Sequence, residues 1–145
     1  MPNDARSIAL INDSFYRLTG KKLVSGDDVF AATWEAPRLI LAHGTEADPI
    51  FFYGNQMALR LFEVSQEELL HMPSRLSAEA PQREIRESML ARVARDGFIA
   101  DYCGVRISAT GKRFRIEQAI VWNLIDEDGK IHGQAATFDH WVDLA

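Results

Sequence analysis

The stretch DPIFFYGNQMALRLFEVSQEEL, Asp48 to Leu69, limits most what this chain can fold into, because strand, helix and helix-start signals follow one another there without a gap. Pro49 has no N–H to give a ladder and suits the first position of a strand, and Ile50, Phe51, Phe52 and Tyr53 after it are strong strand formers. Gly54 ends the strand and Asn55 is a good N-cap. Met57, Ala58, Leu61 and Phe62 then recur at helical spacing, which predicts a helix over 56–63. Ser65 stands three residues before Glu68 and just ahead of Leu69 and Leu70, the capping-box pattern of a second short helix.

Upstream, Ile8, Ile11, Phe15 and Leu18 are spaced by three and four, so an amphipathic helix is expected over 4–18, its N-terminus favoured by Asp4 and its end set by Gly20. Asp27 or Asp28 starts a further helical turn through Val29, Phe30 and Trp34. Beyond Pro37, the run Arg38 to His43 reads as a strand joined to the next by the loop Gly44 to Asp48. The segment HMPSRLSAEAP has no periodicity. Pro81 then opens the longest helix, with Ile85, Met89, Leu90 and Val93 on one face, Arg86, Glu87, Arg92 and Arg95 away from it, and Asp96-Gly97 as its stop.

Three strands close the chain, over 98–108, 112–125 and 130–141, separated by the turns Ala109-Thr-Gly111 and Asp126-Glu-Asp-Gly129. The middle one alternates: Phe114, Ile116, Gln118, Ile120, Trp122 and Leu124 form one set, expected to face the helices and the interior, and Arg113, Arg115, Glu117 and Asn123 form the other. A lone amide in an apolar row needs a partner, so Gln118 is either a ligand-facing group or a hydrogen-bond donor to loop backbone.

Composition excludes several classes. The 145 residues suit one domain, and none of its stretches approaches the roughly 18 apolar residues of a membrane span. The first fifteen residues lack the apolar core of a signal peptide, and one cysteine, Cys103, allows neither an internal disulfide nor a cysteine metal cluster; a cytoplasmic protein is expected. A net charge of −5 argues against nucleic-acid affinity. Within it, residues 82–115 hold eight basic against four acidic side chains, either a solvated face or a meeting place for an anion or acidic partner.

The strand, Y-x-N step, helix and Ser-x-x-Glu-Leu start resemble the beginning of a PAS domain. Over nearly the whole chain, SFYRLTGKKL, HGTEADPIFFYGNQMALRLFE, MPSRLSAE and RISATGKRFRIEQAIVWNLIDEDGKIHGQAATF are similar to the stand-alone bacterial MEKHLA domain, a PAS-like family also found at the C-terminus of some plant homeodomain transcription factors. The resemblance implies an α+β fold: a PAS-like five-stranded antiparallel sheet with flanking helices over 37–145, and an additional N-terminal helical segment over 1–36. That segment packs either on the sheet or on a second subunit. It also implies a cavity between sheet and helices, walled in part by the HMPSRLSAEAP segment.

Tyr53, Arg75, Arg106, Gln118, Trp122, Gln134 and His43 are the polar and aromatic candidates for binding a small molecule there. Arg75 suits a carboxylate or phosphate, or else a nearby acidic residue. Photosensory flavin-binding PAS relatives place a reactive cysteine before an arginine where this chain has Ser74 and Arg75, which rules out a flavin–cysteine adduct at that position; the amides of Gln118 and Gln134 leave a noncovalent flavin open. Heme-binding relatives use a histidine on the long helix, which has none here, so heme is not expected.

The chain holds no phosphate loop, G-x-S-x-G elbow or H-E-x-x-H spacing. His132 and His140 share a strand face but stand too far apart to share a metal. A non-enzymatic regulatory module follows, either a small-molecule sensor signalling to another protein or a homodimer partner, or an interaction module with an ordinary core. A small hydrolase or isomerase would have to rest on His43, the one candidate acid–base group for that cavity.

Overall fold

The computed structural model describes residues 5–144. Its elements are α1 (Ala5–Thr19), α2 (Val29–Trp34), β1 (Leu39–His43), β2 (Phe51–Gly54), α3 (Gln56–Phe62), α4 (Gln66–Leu69), a 3-10 turn (Ser74–Ser77), α5 (Ala80–Asp96), β3 (Phe98–Ile107), β4 (Arg113–Ile125), β5 (Ile131–Phe138) and β6 (His140–Asp143). The strands form one antiparallel sheet in the order β2-β1-β5-β4-β3, with β6 pairing along the first half of β4. The last predicted strand is thus two, broken at Asp139. Asp4 lies outside the described residues.

Local chemistry sets the helix starts. Asp28 caps α2 by accepting from the Ala31 N–H, and Ser65 and Glu68 close the reciprocal box at α4. Asn55 does more than cap α3. Its Oδ1 accepts from Ala58 N and Ile40 N, both at 3.1 Å, while Nδ2 donates to Thr33 O at 3.1 Å and Arg38 O at 2.8 Å. One buried amide with every bond filled therefore ties α2, β1 and α3 together.

The sheet is covered on both sides. On the outer face α1 lays Ile8, Ile11 and Phe15 against Ile40, Trp122 and Leu124. The Phe15 and Trp122 rings meet edge to face at 4.8 Å, Trp122 Nε1 donates to Ile11 O at 3.3 Å, and Ser14 Oγ bridges Ile125 N and O, each at 2.9 Å. The apolar stripe of the N-terminal helix is thus buried within the chain. On the inner face lie α3, α4 and α5. Leu39, Phe51, Phe62, Phe114, Ile116 and Phe138 form its core, and Met89 and Val93 of α5 pack on Ile99 and Val121.

One strand serves both layers because it changes register. Between the pairs Tyr102–Ala119 and Gly104–Ile116, β3 advances two residues and β4 three; the extra residue belongs to a bulge at Gln118, exposed and left-handed at φ 53°. Asp101, at φ 66°, sits in the compensating bulge of β3. A bulge adds one residue to the alternation, and every side chain beyond it moves to the opposite face. Phe114 and Ile116 therefore face the inner helices, whereas Ile120, Trp122 and Leu124 face α1, and Ala119, Val121 and Asn123 take over the inner side. The unbroken period-two row expected of this strand is corrected accordingly.

Candidate functional site

Between α5 and the inner face of β1, β3, β4 and β5 lies a cavity of about 60 Å3. Its floor is apolar, with Leu41, Phe51, Phe62, Ile116, Val121 and Phe138, but His43, Arg86, Arg106, Tyr102, Ser77 and Gln134 also line it. A groove of about 360 Å3 at the surface shares His43, Arg86, Leu90 and Gln134 with that wall, so these four residues stand between the interior and solvent.

The long helix presents a different face from the one its sequence suggests. Ile85 is 57 % exposed, whereas Arg86 is 6 % exposed and shares the buried row with Met89 and Val93, three and seven residues on. Among the described residues Arg86 makes no hydrogen bond and no ion pair. Burial, then the charge of Arg106, brings its pKa down to about 10 against the smaller opposing pull of Glu87 and Tyr102, so it is still a cation at neutral pH. Arg106, 7 % exposed, donates from Nη1 to Val105 O at 2.8 Å and from Nη2 to Tyr102 Oη at 3.1 Å, its guanidinium lying 5.6 Å from the Tyr102 ring centre. It too pairs with no carboxylate among the described residues. Desolvating an unpaired ion costs on the order of several kcal/mol, so two such cations on one small cavity are expensive features.

His43 ends β1 at 8 % exposure. Its Nδ1 lies 3.1 Å from Gly44 O, and since a carbonyl only accepts, Nδ1 carries the proton and Nε2 a free lone pair. Nε2 is buried without a partner. Burial holds the pKa of His43 below its ordinary value, and Arg86 adds to that, against the Gly44 carbonyl bond and Glu46, which raise it. Gly133 lets the backbone come this close: its φ is +147°, and a Cβ there would sit 2.0 Å from His43 O. Gln134 is committed to structure, since its Nε2 donates to Leu90 O at 3.0 Å and Asn123 Oδ1 at 3.2 Å, while Asn123 Nδ2 donates to Val93 O at 3.0 Å. The two amides hold α5 on the sheet.

Of the residues singled out in the sequence, the cavity thus brings together His43, Arg106 and Gln134. Gln118 points out of the bulge and Trp122 beneath α1, both through the register change on β4. Tyr53 belongs to the outer core, where burial pushes its phenol pKa up and its hydroxyl has no partner. Arg75 holds Asp48 at 3.1 Å on the surface. Ser74, buried just before it, also lacks a partner for its hydroxyl and does not line the cavity. Arg86 and Tyr102 were not among the sequence candidates. The spacing of Arg86 to Met89 and Val93 places it on their row, and its charge is what put it outside.

A model of the MEKHLA domain matches residues 5–143. The chain belongs to the MEKHLA domain family. Curated relatives include the homeobox-leucine zipper proteins HOX9 of Oryza sativa subsp. indica, 24 % identical over 117 residues, and ATHB-14 of Arabidopsis thaliana, 28 % identical over 119 residues; each match covers 81 % of this chain. This MEKHLA chain spans 14 % of the length of either plant protein.

Solved structures confirm the fold. A PAS domain of a Colwellia psychrerythraea protein superposes with a TM-score of 0.65 at 16 % identity, over 79 % of this chain and 92 % of that one. A light-oxygen-voltage domain studied with a flavin analogue gives 0.63 at 13 % identity, over 82 % and 86 %. At such identities the likeness shows a PAS-like fold and nothing finer. The MEKHLA cavity as shaped does not take a flavin ring: cofactor sites run to roughly 300–1,000 Å3, against about 60 Å3 here.

Proposed function

We propose that this MEKHLA domain is a sensory module that binds a small molecule between α5 and the inner face of the sheet and signals through protein contacts. One observation carries the reading: three buried polar residues, His43, Arg86 and Arg106, converge on one cavity, His43 Nε2 without a hydrogen-bond partner and the two cations without a carboxylate among the described residues. A core built for stability alone leaves few such groups unsatisfied. The signal would travel through α5, which the occupant touches and which Gln134 and Asn123 connect to the sheet, to a second copy of the chain or to an output protein. No catalytic step is proposed. A cytoplasmic setting suits the exposed free thiol of Cys103, and no helix among the described residues is long and apolar enough to cross a membrane.

A noncovalent flavin is the occupant that likeness to light-oxygen-voltage domains suggests. It requires α5 to move outward, and with Gln118 on the surface only Gln134 of the two amides remains near it. Paired native and denaturing mass spectrometry, with an absorption spectrum of the same sample, tests the reading. A mass excess lost on denaturation is expected, and visible absorption would identify flavin. Bare protein mass in both, with a dimer in the native spectrum, would favour an interaction module whose interior is ordinary core.

A further inference from the structure

The geometry points to a short-chain carboxylic acid as the occupant, its carboxylate held by Arg86 and Arg106 and its hydrocarbon on the apolar floor; this rests on the cavity being a ligand site. The charge balance is the first argument. Two arginines, each more than nine-tenths buried as a residue, line one cavity and repel each other, and no carboxylate of the described residues forms an ion pair with either. An anion between them replaces repulsion with two attractions, and the planar forks of arginine match the two oxygens of a carboxylate.

Size and polarity narrow the class. A cavity of about 60 Å3 has room for only a small molecule, which suits an acid of a few carbons. Phosphate is small enough, but its hydration on all sides fits poorly where Leu41, Phe62, Ile116 and Phe138 form the floor. His43 adds a second requirement. Its Nε2 lone pair accepts and cannot donate, so an acid bearing a hydroxyl beside its carboxylate fills a site that the plain acid leaves open. The groove sharing His43, Arg86, Leu90 and Gln134 with the cavity gives the route of entry; Glu46 and Glu87 line the groove, and Arg86 stands where it joins the cavity. The wall facing the anion is neutral apart from the two cations: Tyr102 is occupied by Arg106, and Ser77 donates to Ser74 O at 2.7 Å.

The test is thermal unfolding of the full chain, stripped of any occupant by refolding, with butyrate, 2-hydroxybutyrate, butyramide and inorganic phosphate at matched ionic strength. The inference expects Tm to rise by several degrees with butyrate, further with 2-hydroxybutyrate, and not with butyramide or phosphate. Arg86→Gln and Arg106→Gln should each weaken the butyrate effect roughly 10- to 100-fold, the value of hydrogen bonds to a charged group. The wild-type contrast between acid and amide stands even if a variant does not fold. Equal responses to butyrate and butyramide would overturn carboxylate recognition while leaving the cavity a ligand site. A response to phosphate alone would also overturn the class. No response to any probe, from protein that carries no occupant as purified, would overturn both the class and the site.

Discussion

The two faces of this sheet are built from the same strands and to opposite ends. Beneath α1 the interface is closed: Ile8, Ile11, Phe15, Trp122 and Leu124 interlock, and the polar atoms of Ser14 and Trp122 are matched to backbone partners. Beneath α5 a cavity persists, edged by two arginines with no carboxylate partner among the described residues and a histidine with a free lone pair. Tyr53 and Thr137 are exceptions on the closed side, their hydroxyls buried without partners for a reason the structure does not show. The contrast teaches that stability is concentrated on one face, which leaves the other able to carry groups that cost stability. The bulge at Gln118 makes this division workable, because it lets β4 give Phe114 and Ile116 to the inner face and Trp122 and Leu124 to the outer one.

Four substitutions break or sharpen the comparison. The largest effect belongs to the closed face. Trp122→Ala empties its centre and should cost about 3–5 kcal/mol in denaturant unfolding, without changing the affinity of any cavity occupant; unchanged stability would mean that α1 does not pack there. On the open face the sign reverses. Arg86→Leu in ligand-free protein removes an unpaired buried cation and should raise stability by about 1–3 kcal/mol, as apolar replacements of buried ions often do, while abolishing acid binding. A loss of stability would show that Arg86 has a structural partner.

Gln118→Gly relieves a left-handed side chain and should stabilise by up to about 1 kcal/mol; a large destabilisation would return Gln118 to the interior and remove the bulge from the account. The smallest effect is a slope. His43 has a folded pKa below its unfolded value near 6.5, so unfolding takes up a proton, and stability falls as pH drops from about 6.5 through the folded value. Above that window it adds no slope. His43→Phe should flatten stability across pH 5–7, where a single proton contributes at most about 1.4 kcal/mol per pH unit. An unchanged slope would mean that His43 titrates normally.

Much of the fold was legible because local signals agree with one another: the caps at Asn55 and Ser65, Gly54 at a strand end, and the Ile8-Ile11-Phe15 stripe each predict an element that forms. The inner site was only half legible, for two physical reasons. A bulge inserts one residue with no fixed sequence mark, and Gln118 is not the glycine that a left-handed position favours, so alternation carried Gln118 and Trp122 to the wrong face. Charge defaults to solvent, which places Arg86 outside although its spacing to Met89 and Val93 matches the buried row, and the apolar stripe places Ile85 inside although the fold leaves it exposed. Residues at odds with such defaults are where function is expected.

The most direct measurement is an amide and methyl NMR titration of ligand-stripped protein with 2-hydroxybutyrate. The account predicts saturable shifts at His43, Arg86, Met89, Arg106 and Gln134, with Ile8, Ile11 and Phe15 unmoved. Shifts absent from α5, or centred on the α1 face, would contradict it.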